Sequence, residues 1–410
     1  DTLMLSAVGD YAVGAVGTAN SYIGIFIIMF SIISSGMVSV MTQNIGAGRP
    51  GVAYQARQLG LLFNAVAGVL MAVFLFSGAG AILRMVGIAD ALYEPALIYL
   101  KIVGGGCILN AVIPIFSSYL RAFGYTKQPL YATIVGNIAN FVMNAVFLFV
   151  LHKGVAGVAA ATVISKILNL CIVLYFSHKL ISAKNSTERI ANKTVLGQIV
   201  KVGLPSACET ALYNVAMMLV IRFLNQMDAE GLNVTARSYT ATISNFSYCV
   251  GAALAQANAI MTGWHIGAGE LEECDRGTKR AAFVGVCVAV CMETAIVLGS
   301  GFIMPLFTDN PEMTALVRKL LAIDIVLEIG RVTNLVFGQA LKTSGDAVFP
   351  AVIAAVFMFV FAVGGTWLFG ISMGLMAVGA YIGLASDECV RAVGMVWRWK
   401  TGKWRTKKLV

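Results

Sequence analysis

The 410 residues are 59% hydrophobic and 12% charged, with a mean hydropathy of +0.83, against roughly 45–50% apolar and about 25% charged in a soluble domain. That balance excludes a soluble globular domain and places the chain in a lipid bilayer. The net charge of +9 would suit nucleic acid, but the basic residues alternate with apolar runs and never gather on one soluble face, so no nucleic-acid partner is expected.

Read from its start, the chain opens on DTLMLSAV, the end of an apolar run without its beginning. Eleven complete apolar stretches follow, at 14–41, 58–83, 94–120, 129–151, 155–178, 197–224, 233–261, 279–306, 313–341, 347–370 and 373–396. Each is longer than the roughly 20 residues a helix needs to cross a hydrocarbon core of ~30 Å. The expected fold class is an all-α polytopic membrane protein of twelve helices, the first represented only by its last turns. Of the polar breaks, LISAKNSTERIANKTVL at 180–196 alone is long enough to join two halves. The reading is therefore an N-terminal bundle over 1–180, a cytoplasmic linker over 181–196, a C-terminal bundle over 197–399 and a basic cytoplasmic tail over 400–410.

Arg49, Arg57, Arg121, Lys127, Lys179, Arg276, Lys279 and the tail residues fall on one side of this alternation. At most Arg84, Lys153, Arg222, Arg237, Arg318 and Lys319 fall on the other. The positive-inside rule makes the first side cytoplasmic, which puts the C-terminus, and the N-terminus of a twelve-helix chain, on the cytoplasmic side of a cell's inner membrane. Cys107, Cys171, Cys208, Cys249, Cys287, Cys291 and Cys389 lie within apolar spans and Cys274 in a loop, so they read as free thiols acting as small hydrophobes. His152, His178 and His265 stand at span ends in no zinc-ligand spacing.

Ile-Gly-Ala-Gly at 45–48 recurs at 266–269, 221 positions later. At the same offset Leu120-Arg121-Ala122-Phe123-Gly124 with Pro129 falls on Leu341-Lys342-Thr343-Ser344-Gly345 with Pro350, and Val13 and Ala15 fall on Val234 and Ala236. One register holding at three separated places is an internal repeat. Carried back by that offset, Pro205 lands before Asp1, where the first helix would begin. Six helices per half make the repeat parallel, an architecture of transporters whose substrate site is expected at the repeat interface.

No G-x-x-x-x-G-K-[ST] loop, H-E-x-x-H or G-x-S-x-G occurs, so ATP hydrolysis and protease chemistry have no foothold and no enzyme is expected. QNIGAG at 43–48 resembles the loop after helix 2 of the multidrug and toxic compound extrusion (MATE) family. DTLM at 1–4, LRAFGYTKQP at 120–129, VAGVAAATVIS at 155–165, KVGLPSACE at 201–209, LKTSGD at 341–346 and RWKTGKW at 398–404 match further family segments in order. The resemblance implies ion-coupled transport and implicates Asp1 in binding Na⁺ or a proton, with Asn140, Asn144 and Thr162 as its partners. The family often has Asp where Asn144 stands. Amide and hydroxyl oxygens suit Na⁺, but Asn carries no proton, so Asp1 would be the only carboxylate of an Asp1, Asn140, Asn144 ion site. A helix-7 carboxylate is also implied, and Glu209, one turn beyond Pro205, approximates its position.

An ionisable side chain at mid-membrane costs roughly 2.5–3.5 kcal/mol on insertion scales, so one that persists lines a cavity or is paired. Asp324, Glu328 and Arg331, at i, i+4 and i+7, share one helix face. Two desolvated carboxylates a turn apart favour holding a proton, whereas Arg331 favours an ionised neighbour; a structural Glu328–Arg331 pair is the alternative. Glu293 and Lys166 stand alone in apolar helices and read as snorkelling or locally paired, and Asp387, Glu388 and Arg391 as a salt-bridged structural cluster. The helix bearing Tyr239 and Asn245 is too polar for lipid, and lines the cavity or packs through interhelical hydrogen bonds. The expectation is a monomeric secondary-active exporter, with no cofactor beyond Na⁺ or H⁺ as coupling ion. It would expel bulky cationic or amphipathic organic compounds by alternating access, with Glu209, Asp324, Glu328, Arg331, Tyr239 and Asn245 around the substrate. The rival reading, a flippase for a lipid-linked oligosaccharide, requires a strongly cationic cavity.

Overall fold

The computed structural model describes residues 4–5, 10–85, 88, 90–181, 188–228 and 231–410; Asp1 lies outside them. Twelve α-helices follow one another among the described residues. They are α1 (Asp10–Gly46), α2 (Pro50–Met85), α3 (Asp90–Gly105), α4 (Cys107–Ala122), α5 (Lys127–Ala145), α6 (Gly154–Leu180), α7 (Asn192–Met227), α8 (Leu232–Ala268), α9 (Leu271–Ile303), α10 (Pro311–Ser344), α11 (Val348–Phe357) and α12 (Met376–Lys400). Helix is the only open-ended element that satisfies every backbone group within itself, as hydrocarbon demands. Seven helices are long and apolar enough to cross a bilayer, and α3 with α4, bent by 40° at their break, makes an eighth. Helices α8, α10 and α12 have ample length, at 37, 34 and 25 residues, but their polar and charged residues set them apart. Protein must surround such helices, and they carry the site described below.

The 221-residue register is written into the backbone. Gly48 and Gly269 have φ of 73° and 80°, and Gly124 and Gly345 have 86° and 98°. Each pair is one offset apart and adopts the left-handed conformation that glycine reaches without a Cβ penalty. Gly269 closes α8 by donating its N–H to the carbonyls of His265 and Ile266. Wide π turns at Val146–Val150 and Thr366–Ser372 also superpose at this offset.

The chain divides into two compact units, residues 1–45 with 49–203, and 46–48 with 204–410. The division thus falls inside α7 and not across 181–196. The expected linker is docked where it is described: the Gln55 side chain donates to the Ile190 carbonyl at 2.7 Å, accepts from the Ile190 amide at 3.2 Å and donates to Asn192. In unit 1, α2 packs on α3 and α4, and α6 on α3, α4 and α5, around Leu75, Leu83, Tyr99 and Leu100. In unit 2, α10 is clasped by α8, α9 and α12.

The basic tail packs back on its own unit. Trp404 is 1% exposed and stacks on Trp399 with centroids 4.2 Å apart and planes at 9°. Its indole N–H donates to the Trp399 carbonyl at 3.1 Å, and Arg405 pairs with Glu272 at 2.8 Å.

Candidate functional site

Helix α10 begins at a well-formed cap: the Asn310 side chain accepts from the amides of Glu312 and Met313, with Pro311 at the first turn. Its 3.6-residue period then brings Asp324, Glu328, Arg331 and Asn334 onto one face. Arg331 pairs with Glu328 and lies 3.7 Å from Glu388 on α12. Glu388 accepts from the Asn334 amide at 3.0 Å and from Arg391 at 2.8 Å. Arg391 in turn donates to Asp387 at 2.7, 3.0 and 3.1 Å. The result is an alternating chain, Glu328–Arg331–Glu388–Arg391–Asp387, spanning two helices.

The approach of α10 to α12 depends on Gly330. A Cβ there would stand 2.7 Å from the Cys389 amide nitrogen and 2.8 Å from the Glu388 carbonyl carbon. Without a side chain at 330 the backbones close up, and Arg331 reaches Glu388.

A cavity of about 310 Å³ opens beside this chain, walled by Asp324, Arg331, Asp387, Glu388, Arg237 and Asn245, with Tyr213, Tyr248 and Tyr381 among its aromatic lining. The Tyr248 ring lies 5.6 Å from the Arg331 guanidinium, a cation–π distance. Asp324 is 3% exposed, and Glu328 and Glu293 are fully buried. One oxygen of Asp324, one of Glu328 and both of Glu293 have no hydrogen-bond partner among the described residues, and the Ser244 and Ser247 hydroxyls lie near Asp324 and Glu293 without bonding geometry.

Several expectations are corrected by these positions. Glu209 does not wall the cavity: it pairs with Lys342 at 2.8 Å, so its charge is answered on the flank of the network. Glu328 is covered by its pair with Arg331 and sits behind the cavity wall. Tyr239 turns away, donating its hydroxyl to the Phe307 carbonyl at 3.4 Å with its ring on Phe307 at 5.5 Å. Glu293 neither snorkels nor pairs with a cation but faces the Asp324 and Glu328 carboxylates. Arg237, assigned to the outer loops by charge counting, lines the cavity, because α8 runs past it from Leu232.

In unit 1, Asn140 and Thr162 line a separate cavity of about 190 Å³ with Asn137, Asn169 and Lys166. Asn144 is 1% exposed and donates to the Asn140 side-chain Oδ1 at 3.2 Å. The Thr162 hydroxyl donates to Val158 of its own helix at 2.9 Å. Lys166 donates to the Asn110 oxygen at 2.8 Å, so an ammonium shares the space that the expected Na⁺ ligands surround. Like charges repel there, and Asp1, the expected carboxylate, is outside the described residues.

The family model MatE matches residues 1–146 and 205–368. This chain belongs to the MatE family. The MatE chain is 32% identical over 413 residues to an uncharacterized transporter, YisQ, of Bacillus subtilis (strain 168), covering 99% of its own length and 90% of that protein. It is 19% identical to the probable multidrug resistance protein NorM of Thermotoga maritima, covering 100% of itself and 89% of NorM. Among solved structures, a MATE crystal structure in the straight conformation matches with a TM-score of 0.87 at 21% identity, over 99% of this chain and 92% of that one. The protein is thus a multi-pass membrane transporter with the MATE fold.

Within this MatE chain the repeat also shows what the sequence reading overlooked. Lys166 and Asn110 fall, at the 221 offset, on Asp387 and Arg331. Equivalent places in the two units therefore carry charge of opposite sign on the last helix. That correspondence was available in the sequence and marks Asp387 and Glu388 as part of the site, where helix periodicity alone suggests only a structural cluster. Nothing comparable pointed to Tyr213 or Tyr381, whose place on the cavity wall comes from packing alone.

Proposed function

We propose that this transporter is a secondary-active exporter that exchanges an inward-flowing cation for a bulky cationic or amphipathic organic compound. One observation carries the reading: unit 2 gathers five carboxylates, Glu293, Asp324, Glu328, Asp387 and Glu388, around three arginines, Arg237, Arg331 and Arg391. Two negative charges are left without a cation. An unanswered buried anion costs several kcal/mol, which favours taking up protons or a ligand cation, and competition between the two is the essence of antiport. The proton is the coupling ion that this arrangement supports, with Asp324 at the cavity wall and Glu328 and Glu293 behind it. The NorM relative's name supports drugs as the cargo class. A cavity bordered by both signs of charge, with carboxylates in excess, does not favour the oligosaccharide-flippase reading.

The test is ethidium efflux from vesicles under separately imposed pH and Na⁺ gradients, comparing Asp324→Asn and Glu328→Gln with the unaltered chain. A pH gradient should drive efflux, and each variant should reduce the rate at least about tenfold, the effect of losing an interaction worth ~1.4 kcal/mol. Efflux that persists with both gradients collapsed, or that is unchanged in both variants, would overturn the proposal.

A further inference from the structure

At the end of unit 1 where α2 starts and α4 and α6 finish lies a second cavity of that unit, of about 450 Å³, lined by none of the residues of the cavities described above. Its wall includes Arg57, Tyr54, Phe116, Tyr119, Ser177 and His178. The Arg57 guanidinium is boxed by three rings, with centroids at 4.6 Å (Tyr54), 5.3 Å (Phe116) and 5.2 Å (Tyr119). Aromatic faces stabilise a cation electrostatically, but they do not accept its in-plane N–H groups. Among the described residues the buried Arg57 Nε has no hydrogen-bond partner, and neither has the Tyr119 hydroxyl, on a residue only 1% exposed. A buried donor left unmade costs about 1–3 kcal/mol, so two of them converging on one cavity ask for an acceptor.

Among the described residues no carboxylate supplies that acceptor. Helices α2, α4 and α6 contain no Asp or Glu anywhere along their length, and residues 182–187 contain none either. Asp90 and Glu94 sit at the start of α3, beside the far end of α2. Glu188, the carboxylate at this end, is exposed, and Arg57 makes no ion pair among the described residues. Arg49, Arg121, Lys127, Lys179, Arg189 and Lys193 all belong to the same end. Arg57 stands seven residues into α2, about 10 Å along the axis at 1.5 Å per residue, a depth suited to the boundary between headgroups and acyl chains. Leu174, 37% exposed, and Ile181 add an apolar side to the cavity.

We propose that Arg57 and Tyr119 form a binding site for an anionic phosphate, held by the guanidinium Nε–H and the phenol O–H, as in the headgroup of an acidic phospholipid or in free phosphate. Arginine's fixed fork suits a phosphate oxygen, and the three rings pre-orient it. The site shares no residue with the unit 2 cavity and serves to bind a bilayer or soluble anion, not to translocate cargo.

The test uses the full chain in detergent, with bound lipid counted by native mass spectrometry and thermal unfolding followed during titration. The probes are phosphatidylglycerol, phosphatidylcholine and inorganic phosphate, applied to the unaltered chain, Arg57→Gln and Tyr119→Phe. Phosphatidylglycerol should bind and raise Tm, with affinity falling about tenfold in each variant, the order expected for one charge-assisted hydrogen bond. Tyr119→Phe should unfold at no lower a temperature than the unaltered chain when lipid-free, because its hydroxyl has no partner to lose and its removal relieves an unmade bond. Phosphatidylglycerol acting alone assigns the site to a lipid headgroup, and inorganic phosphate acting equally assigns it to a soluble anion; either outcome sustains the anion site. Phosphatidylcholine binding as tightly as phosphatidylglycerol, or all anion effects surviving Arg57→Gln within twofold, would overturn it.

Discussion

Arg391 offers the sharpest test of the charged chain in unit 2. Its side chain is 5% exposed and touches Asp387 and Glu388, themselves 3% and 9% exposed, at 2.7 and 2.8 Å. With charge centres about 4 Å apart and an effective dielectric of ~20, each contact is worth about 4 kcal/mol in Coulomb terms. Much of that is offset by desolvating the guanidinium, so the net cost of Arg391→Gln is about 3–5 kcal/mol, the range for removing one partner of a buried pair. Asp387→Asn should cost less, about 1–2 kcal/mol, because Arg391 keeps Glu388. The double variant should then be milder than the sum of the singles by about 2 kcal/mol, since Asp387 no longer lies buried without its arginine. Denaturant unfolding in detergent, at constant pH and salt, measures all four corners of the cycle. Additivity within ~0.5 kcal/mol would refute the reasoning, because it would mean that the two charges do not depend on each other.

Three further outcomes are expected. Asp228 precedes α8 and accepts from the Leu232 and Asn233 amides at 2.8 and 3.0 Å and from the Asn233 side chain. Partial burial pushes its carboxyl up, but these hydrogen bonds outweigh that effect and hold it below the ordinary 3.8. A depressed folded-state value means stability present above pH 3.8 and lost as pH falls through the lower value. The gap between the unaltered chain and Asp228→Asn, about 1 kcal/mol, should be flat near neutrality and vanish in strong acid, as followed by unfolding at a series of pH values. Gly330→Ala would drive a methyl into the α12 backbone and should destabilise by about 1–3 kcal/mol while abolishing efflux; a folded variant that transports normally would refute the close-approach argument. Trp404→Ala should cost about 3 kcal/mol and expose the tail to trypsin at Lys403 and Arg405, read from cleavage rate against the unaltered chain.

Composition and repeat were decisive at the level of fold because their physical causes are local. Stretches such as 58–83 and 279–306 can only be buried in lipid, and the 221-residue offset survives because Gly48 and Gly269, like Gly124 and Gly345, serve the same left-handed turns. The face shared by Asp324, Glu328 and Arg331 likewise follows from helical period alone. Partnership was not legible in this way. Glu209 and Lys342 are 133 positions apart, and no local rule says that one neutralises the other. Glu293 looked isolated in α9 because its neighbours in charge, Asp324 and Glu328, arrive on another helix.

What the sequence determined by itself was a membrane-embedded, duplicated helical transporter and the set of deep ionisable residues from which any coupling site must be drawn. The tertiary structure decided which of those charges answer one another, because side-chain pairing depends on which helix faces meet and how closely, as Gly330 does for α10 and α12. It also decided which residues reach open space. Burial and periodicity are written along the chain at intervals of three or four residues, whereas the unit 2 cavity wall is assembled from residues as far apart as Tyr213 and Glu388, and only packing brings them together.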